Sequence, residues 1–549
     1  MLSRRAAWAI TVPVTIVLLG YVLWPNIETF RLGLDGSVLA DLFGRERSAG
    51  TRALVNSVGV SLGTVGLGGL VGTALAWALW RYDLPLRRTL AGVAALPLAL
   101  PPLVGVLAFL FLYGESGMLP RGLQVAFGLE EVPFAFGGVS AVLAVHVYVF
   151  YVYFYLFVGA ALRDLDASLL DASADLGAGA FTTFRRIVLP LLRPALLGAS
   201  LLVFMLSMAS FTAPLLFAEG EPFLTTQIYQ FKTNGALDRA AAVSVVLTGI
   251  CLLFLLGTEV RGLATRAASG KGVGRGPGPL QGPARIAAGA LVGLALVVVL
   301  LPVATVVLLS FVAEGTWTTQ VMPDTFTVDN YAALATEPDV LAPITSSLWM
   351  AALATAANVV FGVAVALVVV KGHVPGRGLI RALSLLPFAV PGTVLALGLL
   401  VAFDEPTALA GGSVLIGTIW LLPLAYFVRH VPLVVRAAQA ALEGFDDRLA
   451  EASADLGASG WTTFRRVVLP AIGPGVVAGA LLTFVTALGE FVASIMLYVY
   501  ANRPIAVEVF AQLRIFEFGQ AAAYSVLLMG LVALSVVASR WLGSAGRAV

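Results

Sequence analysis

Residues 171–190 read DASADLGAGAFTTFRRIVLP, and residues 451–470 read EASADLGASGWTTFRRVVLP. Fifteen of the twenty positions are identical at an offset of 280 residues. Upstream the same register holds at an offset of 290. Leu96-Pro97 and Pro101 match Leu386-Pro387 and Pro391, and Leu84-Pro85 is echoed by Val374-Pro375. A shorter loop in the second copy absorbs the ten-residue difference. A chain that repeats itself at this spacing consists of two homologous halves.

The sequence around the repeat is apolar. Hydrophobic residues make up 59% of the 549 residues and charged residues 12%, against roughly 25% charged in soluble proteins. With a mean hydropathy of +0.95, the chain reads as an all-α polytopic membrane protein. Thirty-three basic and 31 acidic residues leave a net charge of +2, so no electrostatic footprint for nucleic acid is present. One cysteine, Cys251, excludes an internal disulfide, and the single histidines His146, His373 and His430 give no metal-ligand spacing. Neither a catalytic constellation nor a metal site is expected.

A helix needs roughly 20 apolar residues to cross the hydrocarbon core. Twelve such stretches are expected, near 6–25, 53–80, 90–113, 137–162, 194–218, 239–260, 286–311, 344–370, 380–403, 411–435, 474–500 and 520–540. The first could be a signal peptide, but Ala6 to Trp24 is too long for a signal core and Pro25-Asn26 follows it in place of a cleavage site. Twelve spans put both termini on one side. The loops at 312–343 and 404–410 carry no Lys or Arg, so the positive-inside rule predicts cytoplasmic termini. Between spans six and seven, residues 261–285 form a basic Gly/Pro-rich linker. Its Gly270-Lys271-Gly272 lacks the Ser/Thr and the preceding strand of a phosphate loop. The expected organisation is a first half at 1–260, a linker at 261–285 and a second half at 286–549. Six spans per half make the repeat parallel, with a pseudo-two-fold axis along the membrane normal and a pathway between the halves.

The duplicated segments fall in cytoplasmic loops, at 163–193 and 436–473. In each, Ala172–Leu176 or Ala452–Leu456 is expected to be helical and to end at a left-handed Gly177 or Gly457. A second helical stretch then runs through Phe184 or Phe464 and stops at Pro190 or Pro470. The acidic residues Asp171 and Asp175, like Glu451 and Asp455, share one helix face. Bracing of the bundle would not require the same polar sequence twice. Two near-identical polar surfaces on one side instead fit two docking sites for a two-fold symmetric partner.

The run of an acidic residue, Ala, a small residue, Gly six positions on, and a hydrophobic-x-Leu-Pro ending resembles the EAA loop of type I ABC importer permeases. Asp171-Ala172-Ser173, Gly177 and Ile187-Val188-Leu189-Pro190 carry the first copy; Glu451-Ala452-Ser453, Gly457 and Val467-Val468-Leu469-Pro470 carry the second. The first copy has Asp where the family usually has Glu, and both have Ser in third place. The resemblance covers the whole chain and implies two MetI-like six-helix halves. It implies that Asp171, Ala172, Ser173, Gly177, Arg185, Arg186, Glu451, Ala452, Ser453, Gly457, Arg465 and Arg466 belong to coupling loops that seat in a homodimeric ABC ATPase. The arginine pairs could equally anchor to anionic lipid. The resemblance further implies a periplasmic or lipid-anchored binding protein, ATP and Mg on the ATPase and none in this chain, and a bacterial inner-membrane location. Fused permeases of this layout resemble the ferric-iron and thiamine branch. Leu224-Thr225-Thr226-Gln227-Ile228-Tyr229 and Leu488-Gly489-Glu490-Phe491 look more like ferric-iron members, while polyamine, phosphonate and sulfate permeases share the scaffold.

Glu490 stands out as the intramembrane charge, and such groups usually face a cavity or a partner. Its equivalent is Ser210; with Ser207 these form the candidate pathway, the alternative for Glu490 being a structural carboxyl bonded to a neighbouring helix. The aromatic run after His146, Val147 to Tyr155, is expected to pack, His373 and His430 to lie near cytoplasmic ends, and the prolines of spans three and nine to kink them. An ion-coupled secondary transporter would share the twelve spans. It would leave the duplicated loop unexplained and would need more intramembrane charges than Glu490.

Overall fold

The computed structural model describes residues 4–260, 278–279, 282–317, 320–372 and 374–545. Most of the expected linker, and His373, lie outside the described residues. Among the described residues eleven helices are long and apolar enough to cross a membrane. A bent pair, taken as one broken span, makes a twelfth. In chain order these are α1 (Arg5–Gly33), α2 (Ala49–Arg81), α3 (Pro102–Phe127), α4 (Gly138–Arg163), α5 (Phe181–Met208) and α6 (Leu237–Leu255). The second set is α7 (Pro283–Leu309), α8 (Pro338–Lys371), α9 (Arg377–Ala389 with Gly392–Ala402), α10 (Leu421–Glu443), α11 (Gly460–Leu488) and α12 (Phe518–Ala538).

In each half the second, fourth and fifth helices form one packed unit, α2 with α4 and α5, and α8 with α10 and α11. Small residues let the backbones approach, which is how helices associate where lipid removes the hydrophobic drive. At Gly72 a Cβ would stand 2.3 Å from the Tyr151 carbonyl oxygen. The aromatic run of α4 packs as expected. The hydroxyls of Tyr148, Tyr151 and Tyr155 donate to the carbonyls of Val299, Ala94 and Ala91 at 2.9, 2.9 and 3.2 Å.

The halves exchange their first helices. Tyr21 of α1 donates to the Leu409 carbonyl at 2.6 Å, and its ring stacks on Phe403 with centroids 5.8 Å apart. A Cβ on Gly398 of α9 would lie 2.9 Å from the Pro25 carbonyl oxygen. In return α7 packs on α3, and receives the Tyr148 hydrogen bond described above. Each half therefore lacks a complete wall without the other.

Prolines break the third span of each half, as expected. The two parts of α9 meet at 111° around Val390-Pro391. In the first half Arg87–Val93, Leu96–Ala99 and the start of α3 are separate pieces ending at Pro101. Proline has no N–H to give and crowds the preceding turn, so these chains turn there.

Two sequence expectations fail. The helix after each duplicated loop does not stop at Pro190 or Pro470. It runs on to Met208 and Leu488, through a wide π-helical turn at Phe184–Val188 or Phe464–Val468. That wider turn loosens the backbone where the proline's missing donor and ring would otherwise break it. The tenth span begins near Leu421, ten residues later than expected, because residues 404–420 form turns closed by the Thr407–Ser413 bridge. The same helix runs on to Glu443, past the expected end at 435, so His430 is buried in mid-helix, with Nδ1 2.8 Å from the Tyr426 carbonyl oxygen, and is not a terminal residue.

Candidate functional site

The duplicated segments fold into the same helix–turn–helix. Asp166 and Asp446 cap the first helices, Ala167–Asp175 and Asp447–Asp455, each accepting from a backbone N–H two residues on at 3.0 Å. Those helices start five residues earlier than the sequence suggested in both copies, because the caps lie upstream of the duplicated block. Gly177 and Gly457 end them at φ +74° and +81°, the left-handed conformation that glycine alone adopts without Cβ strain. Ser173 Oγ lies 2.8 Å from Thr183 Oγ1, and Ser453 Oγ lies 2.9 Å from Thr463 Oγ1. These bonds staple the two arms together, so the third position of the motif holds the turn's shape.

Asp171, Ala172, Gly177, Arg185 and Arg186 are exposed, as are Glu451, Ala452, Gly457, Arg465 and Arg466. Sequence reading missed the apolar members of this surface. Leu176 and Leu456 are 88% and 89% exposed, and Phe181 and Trp461 are 74% and 69% exposed. Large apolar side chains left uncovered at matching places beside two polar turns are a candidate interaction surface. The available signal was an apolar pair repeated inside otherwise polar segments. One feature is unequal: Lys371, at the end of α8, donates to Asp447 at 2.7 Å, where the first half has Arg81 and Ala167.

From each turn a continuous helix, Leu189–Met208 or Leu469–Leu488, leads to a break at the opposite end. Twenty residues at a rise of about 1.5 Å make roughly 30 Å, the thickness of a hydrocarbon core. Ser210 and Glu490 occupy the equivalent breaks, beyond the ends of the helices rather than within the spans expected for them.

The two breaks are tied to the preceding helix by different chemistry. In the first half, His146 of α4 is buried with Nδ1 2.9 Å from Ser207 Oγ and Nε2 2.8 Å from Ser210 Oγ. A neutral imidazole carries one donor and one acceptor, and the two hydroxyls satisfy both. In the second half, the Arg429 Nε of α10 donates to Glu490 Oε2 at 2.5 Å. The other oxygen, Oε1, accepts the Ala493 N–H at 3.0 Å and so caps the short helix Val492–Leu497. Ser494 Oγ donates to the Glu490 carbonyl and lies 2.7 Å from the Tyr426 hydroxyl. Glu490 is thus a buried, bonded carboxylate. Arg429 also fills the space beside Gly392, where a Cβ would meet its guanidinium at 2.3 Å, so one arginine joins the break of α9 to that of α11.

Glu490 is consequently not the sole charge among the helices. Arg429 was overlooked because a single arginine near the expected end of the span at 411–435 carries no periodic signal. A further ion pair, half-buried Arg503 Nε to buried Glu508 Oε2 at 2.6 Å, lies in the segment that follows. Glu508 also accepts from Gln512 Nε2 at 2.6 Å. Among the described residues no group of three or more His, Cys, Asp or Glu is placed to hold a metal ion.

The comparisons with known proteins agree with this arrangement. Residues 60–269 and 358–545 each match the family described as binding-protein-dependent transport system inner membrane component. The "probable ABC transporter permease protein y4fN" of Sinorhizobium fredii is 31% identical over 92% of this chain and 88% of its own length. The ferric transport system permease protein FbpB of Actinobacillus pleuropneumoniae is 27% identical over 96% of this chain and 77% of its own length. The sulfate transport system permease protein CysT of Escherichia coli is 33% identical over 36% of this chain and 75% of its own length. With two matched domains, apolar helical spans in both halves and a duplicated exposed loop, this chain belongs to the binding-protein-dependent transport system inner membrane components, the ABC transporter permeases.

Proposed function

We propose that this chain is the membrane pathway of an ATP-driven importer for ferric iron. The observation that carries the substrate is the extent of the likeness. The ferric permease FbpB aligns with both halves, over 96% of this chain. In this reading the two coupling loops face the cytoplasm with both termini and seat in a homodimeric ATPase, which holds ATP and Mg. Leu176 and Leu456 enter apolar clefts of the ATPase, and the exposed acidic and arginine side chains flank them. A binding protein delivers the substrate at the opposite face. The pathway runs between the halves past Ser207, Ser210 and Glu490. Iron is the cargo and is held mainly by the binding protein, so this chain needs no ligand cluster of its own.

Movement of the loops reaches the breaks along α5 and α11, because each loop and its break share one helix. Pairing with Arg429 leaves Glu490 no net charge to offer a bare cation, which fits passage of a released ion past a polar but neutral wall. ATPase activity tests this reading in proteoliposomes holding the chain with its co-purified ATPase and binding protein. Ferric iron, thiamine, putrescine and sulfate are compared as ligands. Stimulation by ferric iron alone is expected. Stimulation by another ligand would keep the importer and overturn the substrate, and absence of any co-purified ATPase would favour an ion-coupled transporter.

A further inference from the structure

The residues that follow the two breaks, Phe211 and Phe491, are 280 apart and therefore equivalent. They also touch: their ring centroids are 6.0 Å apart and both side chains are buried. Two positions related by a two-fold axis can meet only at that axis, so each ring lies about 3 Å from it, half the separation. The contact extends symmetrically. Tyr229 packs against Phe211 with centroids 5.4 Å apart, and Phe510 against Phe491 at 5.7 Å. Tyr229 and Phe510 are equivalent as well. Their helices, Leu224–Thr233 and Ile505–Arg514, begin with backbone N–H groups that donate to Ser57 Oγ at 3.0 Å and Ser347 Oγ at 2.8 Å. Four aromatic rings thus form a chain of contacts across the junction between the halves. Beside them Gly489 closes on Pro101 of the other half, where a Cβ would stand 3.3 Å from the proline Cβ.

We propose that the Phe211–Phe491 pair is the seal of the translocation pathway, with Tyr229 and Phe510 as its backing. The proposal rests on the reading of the axis between the halves as that pathway. Rings that meet on the axis, with no polar side chain between them, exclude water and ions by dewetting. Their position explains how they open. Each phenylalanine is bonded directly to the residue at a helix break, and each break is joined by one helix to a coupling loop. Drawing the loops together tilts α5 and α11 about the polar ties at His146 and Arg429, and so parts the rings. The polar ties set the pivots and the aromatic pair makes the closure.

The test uses the full chain with its co-purified partners in potassium-loaded vesicles, without ATP. Potassium efflux is read with an ion-selective electrode. The double substitution F211A/F491A should raise efflux about tenfold or more over the wild type, as expected for a dewetted constriction turned wet. F211L/F491L, which keeps an apolar plug, should stay near the wild type. F204A removes an aromatic stack of similar size away from the axis, the Phe204–Phe254 pair at 3.9 Å, and should not leak. Leakage from F204A equal to that of F211A/F491A would reduce the effect to general loosening and overturn the proposal. Tight vesicles from a folded F211A/F491A protein would also overturn it. A second variant, F211C/F491C, separates that failure from failure of the pathway itself. Bridging its thiols with a short bis-methanethiosulfonate should block ligand-stimulated uptake, reversibly with reductant. Blockage without leakage in the alanine pair would place the pathway at the axis and the seal elsewhere. Unimpaired uptake after bridging would remove the pathway from the axis altogether.

Discussion

The two halves are near copies at the duplicated loops and differ in kind at the opposite ends. At the loops, cap, turn glycine, Ser–Thr staple and exposed leucine recur one for one. At the breaks, a histidine held between two serines in the first half faces an arginine–glutamate pair in the second. The difference continues beyond them. Glu508, bonded to Arg503, stands where the first half has Gln227. A duplicated surface is required wherever the partner is itself two-fold symmetric, and either copy spoiled spoils the fit. A passage for one solute places no such demand, so its two walls are free to differ. The second half holds its break with charge and the first with neutral hydrogen bonds. Buried ion pairs lose far more when one member is removed than neutral bonds do, because an unpaired charge remains.

The largest effects are expected at the symmetric end. L176D and L456D should each abolish most co-purification of the ATPase and its stimulated activity, and to the same degree. A marked inequality between them would break the symmetry argument. Next comes the charged tie. R429A should destabilise the protein by about 3–5 kcal/mol, read as a loss of melting temperature in detergent, by leaving the Glu490 carboxylate buried and unpaired. R429L/E490L should recover most of that loss, and failure to recover would mean that the guanidinium acts through Gly392 packing instead. H146A should cost less, about 1–3 kcal/mol, since it orphans hydroxyls and no charge. A cost equal to that of R429A would erase the distinction between the two ties. K371A, which frees the second duplicated loop from α8, should cost about 1 kcal/mol, since Asp447 is exposed even though Lys371 is largely covered, with a small drop in coupled activity.

The smallest effect concerns a contact found only in the second half, between Glu314 and Glu517. Burial, together with the hydrogen bond and like charge of Glu314, pushes the Glu517 carboxyl above its ordinary range. A carboxyl raised in the folded state favours folding below its ordinary pKa and loses that contribution as pH rises through the raised value. Melting temperature should therefore gain slightly on acidification from neutral toward the carboxylate range. E517Q should melt slightly higher at neutral pH and lose that acid-side gain. An unchanged pH profile in E517Q would show that the contact does not matter to stability.

Much of this was visible in local patterns. The Gly177 and Gly457 turns follow from helix formers ending at glycine, the broken third spans from Pro101 and Pro391, and the packing of Tyr148, Tyr151 and Tyr155 from their type. The misreadings share a cause. Pro190 and Pro470 are strong stop signals in water, but a π-helical turn within a packed bundle carries the helix past them. Arg429 was missed because its meaning lies in Glu490, 61 residues away. His430 was misplaced because α10 runs on to Glu443, through residues such as Arg436 and Gln439 that hydropathy places outside a span.

By itself the sequence determined the membrane class, the two halves and the duplicated polar loops. Those properties rest on composition and on short-range repetition, which survive in one dimension. The tertiary structure alone decided that the halves exchange their first helices and that Glu490 is paired. It alone brought Phe211 and Phe491 together. Contacts between positions hundreds of residues apart depend on how helices cross and where they break. No periodicity along the chain encodes which side chain meets which at a symmetry axis.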